Sequence, residues 1–283
     1  MTLNGYIPGH VLLATGILGI ISFGTRAAPV VTATSASSPA TTPTLNRTVD
    51  TSGAIRLLLI SQPRAGVEKL NSGWMQSLLD EKRYVEIDEF ANLGSRAVAR
   101  ETWQVEQLQR CRVDALLRAG NADQALAAAK SLFLVSGIGS TQYCIHKLAE
   151  CFKAANPRDS AIVSTFKLQQ LALASSDPAL RAKQSKDLGE NVLAAITIDP
   201  KPFEKAIDAL AGKKDYDSLY AKGNLLLLSG RVPEARQAFE AAYKAAPPGE
   251  LKYATEGLMK VIKAEDLSIG RMNQTILEVR PKE

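Results

Sequence analysis

The segment from Asp215 to Gly249, DYDSLYAKGNLLLLSGRVPEARQAFEAAYKAAPPG, limits the folds open to this chain more than any other stretch. It reads as two amphipathic helices on either side of a tight Ser229-Gly230 turn. Gly223, Ala235 and Ala242 are small where two helices must touch, while Leu219, Leu226 and Phe239 fill the remaining contact positions. Pro247 closes the unit, because proline cannot continue a helix. One such pair cannot bury its own apolar face, so neighbouring helices have to cover it.

The spacing recurs. Gly257 follows Gly223 by 34 residues (257 minus 223), and Tyr253 precedes it as Leu219 precedes Gly223. In the other direction, Leu116, Gly120, Ala125 and Ala129 repeat the spacing of Leu226, Gly230, Ala235 and Phe239, with alanine in place of the aromatic. Two further pairs lie between. One runs from Thr141 through Asn156-Pro157 to about Ser175, with Leu148, Ala149 and Phe152 facing inward; the other runs from about Asp177 through Asp199-Pro200 to Gly212. Repeat starts fall near 105, 141, 178, 215 and 249.

This pattern resembles the tetratricopeptide (TPR) repeat, whose period is about 34 residues. The resemblance is strong over one repeat and weak over residues 105–279. It implies an all-α fold: a right-handed solenoid of antiparallel helix pairs whose first helices line a concave groove. It also implies a protein or peptide partner held in that groove, as an extended segment or a partner helix. On the matching positions the groove residues are Arg110 and Asp114 in the first weak repeat, His146 and Glu150 in the second, and Tyr220, Asn224 and Leu227 in the strongest. Family members that grip a peptide backbone or terminus carry an asparagine at the Asn224 position. The basic partners of a carboxylate-gripping clamp are not clearly reproduced.

The helical reading stands without the family. Ala, Leu, Lys, Glu and Gln dominate from Ala97 to Lys263, and all form helices well. Breakers separate the periodic runs at Gly120-Asn121, Gly137-Ile138-Gly139, Asp177-Pro178 and Asp199-Pro200. Asp177-Pro178 reads as a cap followed by proline in the first turn. Only Ile55–Ile60 and Tyr84–Ile87 are β-prone, and both also read as helix. Residues 105–283 are expected to form the repeats. Residues 53–104, with helices over Ile55–Ile60 and Gly66–Leu79, are expected to cap the first end, and Ile269–Val279 the other.

Residues 1–52 are of another kind. The span from Gly5 to Gly24 is uncharged and about long enough to cross a bilayer, with its most apolar part at Val11–Phe23. Residues 1–27 therefore read as a secretory signal peptide or a retained single-span anchor, with membrane contact only through residues 5–24 if uncleaved. No Lys or Arg precedes the apolar run and Arg26 follows it, the reverse of the usual signal polarity. Residues 28–52, rich in Thr, Ser, Pro and Ala, read as a disordered linker. The expected location is extracytoplasmic, periplasmic or secreted, or anchored to a membrane. The net charge of +5 does not point to nucleic acid, because acids and bases alternate along almost every helix.

Catalytic patterns are scarce. Cys144 and Cys151 lie seven apart on one expected helix, roughly 10 Å along its axis, so they cannot bridge each other. Cys111 faces one of them or stays free, and burial of all three as small residues is the plainer reading. Cys144 and His146 point in different directions from a helix, which makes neither a dyad nor a zinc pair. Gly137-Ile138-Gly139 lacks the third glycine of a dinucleotide loop, since Gln142 stands there, and reads as a turn between helices. No cofactor, metal or catalytic residue is expected. The competing reading is a secreted or periplasmic carboxylate-dependent hydrolase on a helical scaffold, with Glu86, Asp88 and Glu89 among its candidate acids. A third is an anchored adaptor facing the cytoplasm.

Overall fold

The computed structural model describes residues 51–155, 177–180, 183 and 193–266. The expected signal or anchor, residues 28–50 of the expected linker, the C-terminal cap and parts of the two middle repeats lie outside the described residues, while Thr51 and Ser52, expected in the linker, are helical. Within the described ones, all regular structure is helical, and no helix is long and apolar enough to cross a membrane.

The first helices are α1 (Thr51–Ser61), α2 (Pro63–Lys69), α3 (Met75–Asp80) and α4 (Tyr84–Ala97). A π-helical turn at Leu70–Trp74 joins α2 to α3, and Gly73 at φ 133 makes its kink. The β-prone runs at Ile55–Ile60 and Tyr84–Ile87 are thus both helical. Next come α5 (Thr102–Arg118), α6 (Ala122–Val135), α7 (Thr141–Ala155), α8 (Lys201–Asp208), α9 (Tyr216–Leu228), α10 (Val232–Ala245) and α11 (Leu251–Asp266). A short 3-10 turn, Ile138–Ser140, links α6 to α7, so the Gly137-Ile138-Gly139 run is a helix connection.

Two hairpins share one local design. Asp215 caps α9, its side chain accepting from Ser218 N at 2.9 Å. At the other end Gly230 takes φ 74, its amide donates to Leu227 O at 2.9 Å, and the Arg231 amide donates to Leu226 O at 2.9 Å. This is a Schellman ending, and it needs the left-handed residue that glycine supplies cheaply. The α5–α6 turn repeats it: Gly120 has φ 77, its amide donates to Leu117 O, and Asn121 donates to Leu116 O at 3.0 Å. Asp177 and Asp199 also act as caps, accepting from Ala179 N at 2.9 Å and Lys201 N at 3.1 Å.

Phe239 of α10 is the hub of the second hairpin. A Cβ on Gly223 of α9 would stand 2.6 Å from its ring, and one on Gly257 of α11 only 2.3 Å. The two glycines, 34 residues apart, therefore press on the same ring, and three helices meet around it.

The described residues do not form only a row of neighbours. Helix α6 packs against α9 and α11, and α8 against both α9 and α4. Ser131 of α6 donates to Leu228 O at 3.0 Å, and Lys130 donates to Ile196 O at 2.6 Å. Contacts between segments about a hundred residues apart are more than stacking of adjacent repeats provides. They put the first hairpin directly on the second.

Candidate functional site

Where α5, α9 and α11 meet, a cavity of about 460 Å³ opens to solvent. Its walls come from three separated stretches: Arg100 to Trp103 with Glu106, Tyr216 with Tyr220, and Glu250 with Tyr253 and Glu256. The mouth is aromatic, with Trp103 63% and Tyr253 51% exposed. Arg100 stacks over the Tyr216 ring at 5.7 Å and pairs with Asp217 and with Glu250 at 3.2 Å. Glu101 pairs with Arg64 at 3.1 Å, and Glu106 with Arg110. Glu256 has no hydrogen bond or ion pair among the described residues.

Beneath this cavity lie two lysines one turn apart on α11. Lys260 is 0% exposed and Lys263 2%. Lys260 Nζ lies 2.6 Å from Thr102 Oγ1, 3.1 Å from Asn224 Oδ1 and 3.3 Å from the Tyr220 hydroxyl. Thr102 and Tyr220 are 3.2 Å apart, and Asn224 Nδ2 donates to Ala99 O at 2.7 Å. One polar cluster thus ties α5, α9 and α11 together. Lys263 Nζ donates to Ser136 O at 2.6 Å, contacts Ser136 Oγ at 3.0 Å, and sits over the Phe133 ring at 4.8 Å. Cys144 donates to the same Ser136 hydroxyl at 3.2 Å.

Burial dominates the electrostatics. Loss of water pushes Lys260 down to about 7; Glu256 opposes this, Lys263 reinforces it, and Glu106 opposes it weakly. Burial likewise lowers Lys263 to about 8, against Cys144 and the two glutamates. The Tyr220 hydroxyl is held above its ordinary value by burial, and Tyr216 is pushed up to about 12 by burial and then Glu250. A buried amine of this kind, next to a cleft, is a functional-site signature.

The groove expected from the sequence is divided. Asn224 and Leu227 are fully buried, so neither stands on an open wall; Asn224 is tied to the Ala99 carbonyl just before α5 and to Lys260 of α11. Tyr220 is also buried and touches only the cavity floor. Arg110, Asp114, His146 and Glu150 lie elsewhere, on α5 and α7. Arg110 stacks over Tyr143 at 4.2 Å and bonds Ser140, while Lys147 lies 2.9 Å from both Asp114 and Glu150. His146 is exposed. None of the hydrogen bonds or ion pairs of Arg110, Asp114 or Glu150 reaches α9, although Glu106 joins Arg110 to the cavity wall.

Each carboxylate named in the hydrolase reading is held by an arginine. Arg83 holds Glu86, Arg112 holds Asp88 at 2.6 Å, and Arg56 holds Glu89 at 2.7 Å. All three thiols are free. No group of acids, histidines and cysteines among the described residues forms a metal site.

Sequence reasoning missed Lys260, Lys263, Thr102 and Glu256. A usable signal was present: Ala254, Gly257, Leu258 and Val261 already form one apolar stripe on α11, and the lysines sit on a second face that the chain buries as well. No family model, curated protein or solved structure matches this chain.

Proposed function

We propose that this protein is a non-catalytic binding protein, built on TPR-like hairpins, that takes a basic side chain of a peptide or partner protein into the α5–α9–α11 cavity. The observation that carries this reading is the cavity's lining. Exposed Trp103 and Tyr253 frame a site with the unpaired carboxylate of Glu256. Ring faces attract a cation by about 0.5–2 kcal/mol, and more as water leaves. An unpaired carboxylate beside them supplies the counter-charge. The solenoid part of the proposal is supported by the shared Schellman endings and by Gly223 and Gly257 on one ring. Export or anchoring through residues 1–27 belongs to the same proposal and rests on the apolar sequence.

The test uses Trp103 as reporter. The chain has two tryptophans, so Trp74→Phe leaves only this one. A short lysine- or arginine-centred peptide is expected to shift Trp103 emission saturably, and the same peptide with glutamate at its centre is not. Glu256→Gln and Tyr253→Ala should each weaken the basic peptide by about tenfold, near 1.4 kcal/mol. Equal responses to both peptides, or unchanged affinity in both variants, would refute the reading.

A further inference from the structure

We propose that Lys260 is a carbonyl-capturing amine: a small uncharged aldehyde or ketone entering the cavity condenses with its Nζ to form an imine. This goes beyond peptide binding and needs only the cavity, not a partner.

The first argument is the company the amine keeps. A wholly buried lysine is normally matched to a carboxylate. Lys260 has no ion pair among the described residues, and its three neighbours at Thr102, Asn224 and Tyr220 are uncharged oxygens. Desolvation favours the free base, the form that attacks carbonyl carbon, and the Thr102 and Tyr220 hydroxyls can each turn a proton toward its lone pair. Lys263 adds a second positive charge one turn away and pushes the same way. Glu256 and Glu106 oppose it, yet the balance still leaves Lys260 near 7.

The second argument is position. Thr102 and Tyr220 both line the cavity and both contact Lys260 Nζ, so the amine lies one side-chain layer below open space. Thr102 is the first residue of α5 and is only partly buried, so a change in its side-chain rotamer would open the way from the cavity to the nitrogen. Lys263 is placed differently. Its nitrogen is held by Ser136 and faces Phe133, neither of which lines the cavity. Lys263 is therefore the electrostatic neighbour and Lys260 the nucleophile.

The chemistry balances without a co-reactant. The nitrogen lone pair forms a bond to the carbonyl carbon, and the C=O π pair moves to oxygen. A proton passes from nitrogen to that oxygen, giving a carbinolamine. The hydroxyl then departs with a second nitrogen proton as one water, leaving the C=N bond. The Tyr220 hydroxyl, 3.3 Å from Nζ, stands where it can donate a hydrogen bond to the departing oxygen. The ring walls of Tyr216, Tyr253 and Trp103 suit an aryl or alkyl body, and the glutamates disfavour anionic carbonyl compounds.

The experiment treats the folded full chain at pH 7.5 with benzaldehyde and cyanoborohydride, which reduces an imine to a stable secondary amine, and maps adducts by peptide mass spectrometry. Lys260 should be labelled ahead of the exposed Lys252 and Lys213 by at least about tenfold, because burial favours its free base. Labelling of Lys260 should reach half-maximum near pH 7. Glyoxylate, an anionic aldehyde, should label Lys260 several-fold less, by the charge argument above. In Lys263→Met, checked for folding by circular dichroism, the Lys260 midpoint should move upward. Adducts confined to surface lysines, or on Lys260 only after denaturation, would overturn the proposal. Peptide titration of Trp103 is a separate readout, so either idea can fail alone.

Discussion

Thermal unfolding of the full chain should give a melting temperature that climbs from roughly pH 6 to about pH 9 and then falls. The rise comes from the buried lysines. In the unfolded chain they keep their protons up to the ordinary value of 10.5, whereas the fold releases them near 7 for Lys260 and 8 for Lys263. Between those limits the unfolded state binds more protons, so stability increases with pH. Burial lowers Lys130 in the same direction. Below pH 7 both charged amines burden the fold in full, a penalty on the order of several kcal/mol for the pair.

The fall has the opposite cause. Burial raises the thiols of Cys111 and Cys144 and pushes Cys151 up to about 12, so above the ordinary thiol value of 9.0 only the unfolded chain loses these protons. Tyr216 and Tyr220 add to this loss above pH 10. Lys147 works the same way: despite its own burial, Asp114 and Glu150 hold its pKa up, and that support is lost as alkali discharges it. Together these place the optimum well above the usual range of about pH 5–8. Lys260→Met combined with Lys263→Met should flatten the rising limb and leave the falling limb intact. A stability profile that is level or declining from pH 6 to 9 would contradict the buried-amine assignment.

Gly257→Ala should be the most damaging single methyl in the described structure. The new Cβ would stand 2.3 Å from Phe239 Cδ1, and the ring, at 0% exposure, has nowhere to go. Gly223→Ala meets the tip of the same ring, 2.6 Å from Cζ. Overpacking of this type costs about 1–3 kcal/mol, and both substitutions belong at the upper end. Phe239→Leu in the Gly257→Ala background should recover part of the loss, giving a coupling energy of about 1 kcal/mol or more in a double-mutant cycle. Gly249→Ala, which meets nothing within 4 Å, serves as the control and should stay within about 0.5 kcal/mol. Urea denaturation of these variants, with Phe239→Leu alone completing the cycle, supplies the numbers; additive effects of Gly257→Ala and Phe239→Leu would remove the shared-ring account.

The local elements were legible because their signals are local. The cap at Asp177, the turns at Gly120 and Gly230 and the start at Thr141 follow from short-range spacing, while the starts expected near 105, 215 and 249 fall within three residues of the helix starts at 102, 216 and 251. What periodicity cannot carry is which faces of distant helices meet. Asn224 and Leu227 read as an open wall from local spacing alone; in the fold both are buried, and Asn224 bonds Ala99 and Lys260, 125 and 36 positions away. Lys260 and Lys263 were hidden for a related reason. Lysine on an amphipathic helix ordinarily marks the wet side, and only the docking of α11 against α5 and α6 turns that side inward. The cavity inherits both difficulties, since its walls come from three segments that share no sequence pattern.

The late arrival of α11 has a consequence for how this chain is made. The Ser136 carbonyl and the Thr102 hydroxyl are synthesised long before the lysines that satisfy them, at separations of 127 and 158 residues. While a ribosome is still delivering the intervening stretch, the first hairpin carries polar atoms and apolar faces that have only solvent or a chaperone for company. Maturation therefore hinges on the last described helix, and nascent chains halted before residue 263 should remain open to protease long after their earlier helices have formed.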